Sequence, residues 1–192
     1  MNKMNADIVR FVQGRIQQLF HSKAALAQLR RGIGKEPGEL PNLLGFVLPS
    51  EELTSWHEGE DMAEKAIYTA LTLYAFHQQG SDCCMSAGLD DEDKSISSRN
   101  SFGHAVRRLV RQQGNEEAVL RRFNKVLSAK DLTELAIHAR ALLGMLRKEK
   151  ISLDYPSFAI DLYWFQQSAT RRSTLLKWGK DYYMNQREDD AS

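Results

Sequence analysis

The chain has 192 residues, with 26 Lys or Arg against 25 Asp or Glu and a net charge of +1. That length supports a full apolar core, as one domain or two small lobes. It contains nothing like the roughly 20 consecutive apolar residues that a membrane-spanning helix requires, so none is expected.

Near-neutrality conceals a strong segregation. Residues 1–35 sum to +6, residues 36–93 to −12, residues 94–187 to +10 and the tail 188–192 to −3. The basic C-terminal half suits nucleic acid, and the acidic middle suits a basic partner or serves solubility. Cys83 and Cys84 are the two cysteines. Adjacent cysteines bridge only with strain, so no disulfide framework is expected. Arg10, Gln13 and Arg15 interrupt the first apolar stretch, which removes a signal-peptide core and predicts a cytoplasmic location.

Helical periodicity runs along the chain. Ile8, Phe11, Val12, Ile16, Leu19 and Phe20 predict a first amphipathic helix, and Leu26 and Leu29 a second, stopped by Gly32 and Gly34. Glu36-Pro37-Gly38-Glu39-Leu40-Pro41 is turn chemistry. Met62, Ala63, Ala66, Ile67, Ala70, Leu71 and Tyr74 predict a buried helix over 59–79. Residues 80–100, rich in Gly, Ser and Asp, read as a mobile loop.

Two arginine-rich segments of one design follow. Arg107-Arg108-Leu109-Val110-Arg111 is repeated 14 positions later by Arg121-Arg122-Phe123-Asn124-Lys125, with Gly114 as the break between two helices. At about 100° per residue, His104, Arg107, Arg108 and Arg111 share one arc, opposite Phe102, Ala105, Val106 and Leu109. Arg121, Arg122 and Lys125 share the same arc, backed by Val119, Leu120, Phe123 and Leu127. Like charges at i,i+4 cost a helix a few tenths of a kcal/mol per pair. One such face alone reads as an ordinary solvated surface; two in register are expected to merge into one ridge that holds a polyanion's phosphates.

Asp131 reads as an N-cap with Glu134 as its capping partner. It opens a helix whose apolar stripe is Leu132, Leu135, Ala136, Ala139, Leu142, Leu143 and Leu146. Pro156 suits a first helical turn, and two helices are expected over 156–184. Strand-like alternation is nearly absent. The fold class is therefore all-α, a helical bundle of two small packed lobes. The expected division is 1–100, ending in the acidic loop, then 101–184, then an acidic tail at 185–192.

Chemistry is sparse. His21, His57, His77, His104 and His138 share no metal-binding spacing with one another or with the cysteines. Asp90-Asp91-Glu92-Asp93 lacks the alternating ligands, turn glycine and closing Glu of a calcium loop. Gly32 and Gly34, beside Arg30, Arg31 and Lys35, suit an anion contact but match no Walker pattern. The late aromatics Tyr155, Phe158, Tyr163, Trp164, Phe165, Trp178, Tyr182 and Tyr183 could stack on bases. Core packing is the better reading for Phe158 and Phe165, while Trp178, among Arg171, Arg172, Lys177 and Lys180, is open to either. No catalytic residue, cofactor or metal site is expected.

Several motifs in order resemble one family. Ala27-Gln28-Leu29-Arg30-Arg31 with Glu36-Pro37-Gly38-Glu39-Leu40, Ser101-Phe102-Gly103-His104-Ala105-Val106-Arg107-Arg108-Leu109, and Leu120-Arg121-Arg122-Phe123 come first. Ile151-Ser152-Leu153-Asp154-Tyr155-Pro156, Asp161-Leu162-Tyr163 and Lys177-Trp178-Gly179-Lys180-Asp181-Tyr182-Tyr183 follow. The set is similar to the small subunit (CasB family) of the type I-E CRISPR surveillance complex, Cascade. The resemblance implies an all-helical, non-catalytic subunit that sits as a head-to-tail pair beside the backbone and large subunits. It also implies contact with CRISPR RNA and target DNA, holding open the R-loop in antiviral defence. Arg30, Arg31, Arg107, Arg108, Arg111, Arg121 and Arg122 fall in matching motifs and inherit a phosphate-contact role. Lys125 and Arg140 join them on helix geometry and local charge. His104 stands where the family pattern has a basic arginine, which implies a weaker or pH-sensitive contact, and the 80–100 loop is longer than the pattern.

Base pairing reads sequence in guide-directed systems, and protein contacts tip a nearly balanced strand exchange. A basic ridge can bias it by holding the expelled strand. Two rival classes stand beside this reading: a free-standing helical non-specific nucleic-acid-binding protein, and an enzyme whose site assembles from residues distant in sequence.

Overall fold

Leu132, Leu135, Ala136, Ala139, Leu142, Leu143 and Leu146 are all buried, on a helix from Leu132 to Lys148 opened by the Asp131 carboxylate accepting from the Glu134 N–H at 2.8 Å. Glu134 reaches back to accept from the Lys130 N–H at 2.8 Å. Periodicity and capping chemistry thus both act as expected. The computed structural model describes residues 3–47, 60–87, 100–113 and 116–183. Among these, the helices are α1 (Lys3–Phe20), α2 (Lys23–Leu29), α3 (Leu44–Val47), α4 (Glu60–His77), α5 (Phe102–Gln113), α6 (Glu116–Leu127), α7 (Leu132–Lys148), α8 (Tyr155–Phe165) and α9 (Ser168–Tyr183). Short 3-10 turns occupy Arg30–Gly32 and Pro41–Leu43. No strand occurs among the described residues, only an isolated parallel bridge between Ser86 and Leu153. The chain is all-α.

α4 is the central element. Ala63, Ala66, Ile67, Tyr68, Ala70, Leu71, Leu73, Tyr74 and Ala75 are all buried, so it is enclosed on nearly every side. It packs on α7 and α8, with α2 on another flank, while α1 lies across α8. α9 packs against α5 and α8, and α6 against α7. The apolar core is one cluster that runs across the boundary expected near residue 100, from Ile8 and Leu26 to Leu143, Trp178 and Tyr182.

Four helices meet in an aromatic cluster. Phe102 of α5 lies 5.2 Å from Phe158 of α8, 5.1 Å from Trp178 of α9 and 5.9 Å from Phe123 of α6, ring centre to ring centre. Trp178 is fully buried, which settles its alternative readings in favour of the core. Gly103 beside it is a close-approach position: a Cβ there would overlap the Trp178 carbonyl oxygen and come within 2.8 Å of the Asp181 Cβ. α5 and α9 can cross this tightly only because residue 103 carries no side chain.

The mobile loop expected at 80–100 differs over its first part. The Gln78 side-chain amide donates to the Ser81 and Cys83 carbonyls at 2.9 Å each and accepts from the Met85 N–H at 2.8 Å. Leu153 N–H donates to Met85 O at 3.1 Å, and Ala87 N–H donates to Leu153 O at 3.0 Å. Composition marks this segment as loop, but one buried amide and the α7–α8 connection fix its backbone. The rest of that loop, with Asp90-Asp91-Glu92-Asp93, lies outside the described residues, as do His57 and the tail from 185 onward.

His77 ends α4 fully buried, its Nδ1 hydrogen-bonded to the Tyr155 hydroxyl at 3.1 Å. Burial, reinforced by the positive charge of Arg147, pulls its pKa down to about 3. The unfolded chain therefore takes up a proton at His77 that the folded chain refuses. Stability from this group is complete above about pH 6.5 and falls on acidification towards pH 3, by up to about 1.4 kcal/mol per pH unit. Urea titrations at several pH values should show His77→Gln losing that part of the acid dependence. A wild-type and variant slope that coincide would show that His77 is protonated as readily in the fold as outside it.

Candidate nucleic-acid interface

The second arginine-rich segment behaves as its periodicity predicts. α6 buries Val119, Phe123 and Val126 and leaves Arg121 and Lys125 exposed, with Arg122 half-buried and donating to the Ala118 carbonyl at 2.9 Å. The connection to α7 is short, so the two helices run as an antiparallel hairpin. Between them lies a cleft of about 210 Å³ lined by Arg121, Arg122, Lys125, Ile137, His138 and Ala141. Three cations line it without an acid among the lining residues; His138 on its wall lies with Nε2 3.5 Å from Glu134 Oε1. Ile137 is 55 % exposed, so the cleft combines positive rims with an apolar floor.

A second basic group flanks α7 on its other side. The Arg140 and Arg147 guanidiniums lie 5.0 and 4.8 Å from the centre of the same Phe76 ring. Arg147 also donates to the Phe76 carbonyl at 3.2 Å and to Gln79 Oε1 at 3.0 Å. Partial burial, and after it the charge of Arg147, lower the pKa of Arg30, so the two guanidiniums repel each other through space. Arg31 is exposed next to it. Gly34, at φ +74°, lays the following turn against α7, where an added Cβ would sit 3.1 Å from Ile137 Cγ1. The Arg30–Gly34 turn and the outer face of α7 are thus neighbours. Sequence reasoning missed Arg147; its position seven residues after Arg140, one helical face apart by about 20°, was the available signal.

The first arginine-rich segment does not join this surface as a free ridge. Arg107 is only 14 % exposed at its side chain and pairs with Glu116 at 3.5 Å. Its guanidinium lies 5.9 Å from the Tyr182 ring centre. Arg108 donates to the Ser152 carbonyl at 2.8 Å, and burial lowers its pKa. His104 Nδ1 is 2.8 Å from Ser101 Oγ, which donates to Asp181 Oδ2 at 2.6 Å. Arg111 is exposed at the end of α5. A wheel drawn for one helix correctly separates the polar and apolar sides of α5. It is blind to α9 and the 149–154 connection, which cover much of the polar side and engage its guanidiniums internally.

No group of three or more His, Cys, Asp or Glu side chains that could hold a metal ion occurs among the described residues, and no helix there is long and apolar enough to cross a membrane. Fold and surface together define a class: an all-helical bundle carrying a cation-lined cleft on one helical hairpin. The CRISPR-associated protein Cse2 family matches residues 25–183, and the chain belongs to that family, the CasB small subunits of Cascade. The crystal structure of CasB from Thermobifida fusca is similar at 29 % identity and a TM-score of 0.72, over 92 % of this chain and 97 % of that one. That of M. ruber CasB matches at 19 % identity and a TM-score of 0.68, over 100 % of this chain and 98 % of that one. A Cse2-family structure from Thermus thermophilus matches at 20 % identity and a TM-score of 0.63, over 95 % of this chain and 99 % of that one. No curated protein gives a significant match.

Proposed function

We propose that this chain is a non-catalytic Cascade subunit that holds nucleic-acid backbone on the two sides of α7, stabilising the guide RNA–target DNA hybrid and the displaced strand. The observation that carries the reading is the α6–α7 cleft, where Arg121, Arg122 and Lys125 converge without a neutralising carboxylate among them. Three like charges held together cost free energy unless an anion is present. Arg30, Arg31 and Arg140 extend the contact across α7, while Arg111 is a further exposed cation on α5. Arg107, Arg108 and His104 act as positioning groups that tie α5 to α6, α9 and the 149–154 connection. The subunit works beside the backbone and large subunits, paired with a second copy of itself.

Six single-strand phosphate contacts imply a log–log salt slope of about −4, hence more than a hundredfold loss of affinity between 50 and 200 mM salt, with little sequence preference. Fluorescence anisotropy of labelled single strands, titrated with salt, tests this on the isolated protein. A flat salt response, or metal-dependent cleavage of the strand, would contradict it. Co-purification with the remaining Cascade subunits and a guide RNA tests the assembly.

A further inference from the structure

α9 buries Thr174, Trp178 and Tyr182 on its inner side, and its outer side sets large apolar side chains among cations. Leu176 is 54 % and Tyr183 50 % exposed. They are seven residues apart and so share one stripe, within about 20° of each other. Gly179 lies between them, and a Cβ built there meets nothing within 4 Å. A mid-helix glycine costs about 1 kcal/mol relative to alanine. At Gly103 a packed neighbour explains that cost; at Gly179 nothing inside the described fold does. The bare position leaves helix backbone open to the close approach of another chain.

The charge on this side is of one sign. Arg172 and Lys180, four residues either side of Leu176, are exposed. Lys177 is held by Asp161 at 2.7 Å, and the Asp181 carboxylate is engaged by Ser101 at 2.6 Å. α9 laid on α9 of a copy would bring four cations together, so whatever covers this face must supply the acids itself. We infer that the outer face of α9 is a docking surface for an amphipathic helix of a different protein subunit, one whose apolar stripe is rimmed by Asp and Glu. Leu176 and Tyr183 pack on either side of the partner's closest approach at Gly179, and Arg172 and Lys180 pair with its acids. This depends on the chain working within a multi-subunit complex and not on the nucleic-acid reading of α7.

The test places a photo-cross-linking p-benzoylphenylalanine at Leu176 in the assembled complex with guide RNA and maps the products by mass spectrometry. The expected product joins position 176 to a helix of another subunit bearing flanking acids. Cross-links only to nucleic acid, to a second copy or to the chain's own tail would overturn the inference, as would no cross-link at all. In parallel, Leu176→Asp combined with Lys180→Glu should retain the helical circular dichroism, melting temperature and single-strand affinity of the wild type. Its incorporation into the complex should fall at least tenfold. Unchanged incorporation, or loss of the isolated protein's fold, would count against a docking role for these exposed side chains.

Discussion

Charge reversal at Arg121 and Lys125 is expected to weaken single-strand binding at least tenfold at about 100 mM salt and to reduce the salt slope from about −4 to about −3. Both side chains are exposed and line the α6–α7 cleft, so their loss removes counterion release without disturbing a packed contact. Helix content and melting temperature should hold, since α6 is anchored by Val119, Phe123 and Val126 on its other side. Arg107→Glu is expected to do the reverse. Its guanidinium is largely covered and pairs with Glu116, so a carboxylate there would face another carboxylate in a poorly hydrated position. Stability should fall by about 2–4 kcal/mol, while the salt slope of whatever folds stays near −4. Anisotropy and urea melts on the two variants separate binding from stability. If Arg121→Glu with Lys125→Glu binds like the wild type, the cleft is not the nucleic-acid surface.

The contrast between those two segments shows what local sequence carries. α7 was legible because seven buried apolar positions at helical spacing and an Asp131–Glu134 capping pair agree. α8 was legible through Pro156 in its first turn; its Asp154 cap, which accepts from the Ser157 N–H at 2.9 Å, is seen only in the structure. Arg107 and Arg121 have nearly identical local contexts, yet one is engaged internally and the other is exposed. The difference is made by Tyr182 and Glu116 on α9 and α6, and no window of α5 contains them. The spacing from Arg140 marked Arg147 as sharing its face, but the Phe76 ring on which both guanidiniums stack lies outside α7 and was not in view. The fixed turn at 81–87 rests on the Gln78 amide and on backbone bonds to Leu153, signals that composition averages away.

Trp178→Ala is expected to be strongly destabilising. The indole is fully buried against Phe102 and Phe158, at 5.1 and 5.7 Å between ring centres. Truncating such a ring costs about 3–5 kcal/mol in transfer and cavity terms, a large share of the roughly 5–15 kcal/mol typical of a domain. The change also removes a hydrogen bond. Trp178 Nε1 donates to Asp161 Oδ2 at 2.7 Å, and Lys177 Nζ supplies 2.7 and 3.0 Å contacts to the same carboxylate. Burial pushes the Asp161 pKa up, against the opposing pull of Lys177 and Trp178. Trp178→Phe tests that bond alone, because it keeps an aromatic ring while deleting the donor. It is expected to cost about 1–3 kcal/mol at pH 7. Without the indole donor the carboxyl titrates higher still, and a group raised in the folded state is stabilising when protonated and loses that contribution as pH rises through its folded pKa. The deficit of Trp178→Phe relative to wild type should therefore shrink as the pH is lowered from about 7 towards the carboxylate range. Equal deficits across that interval would mean that the Trp178–Asp161 bond contributes nothing to stability, and that the indole acts through ring packing alone.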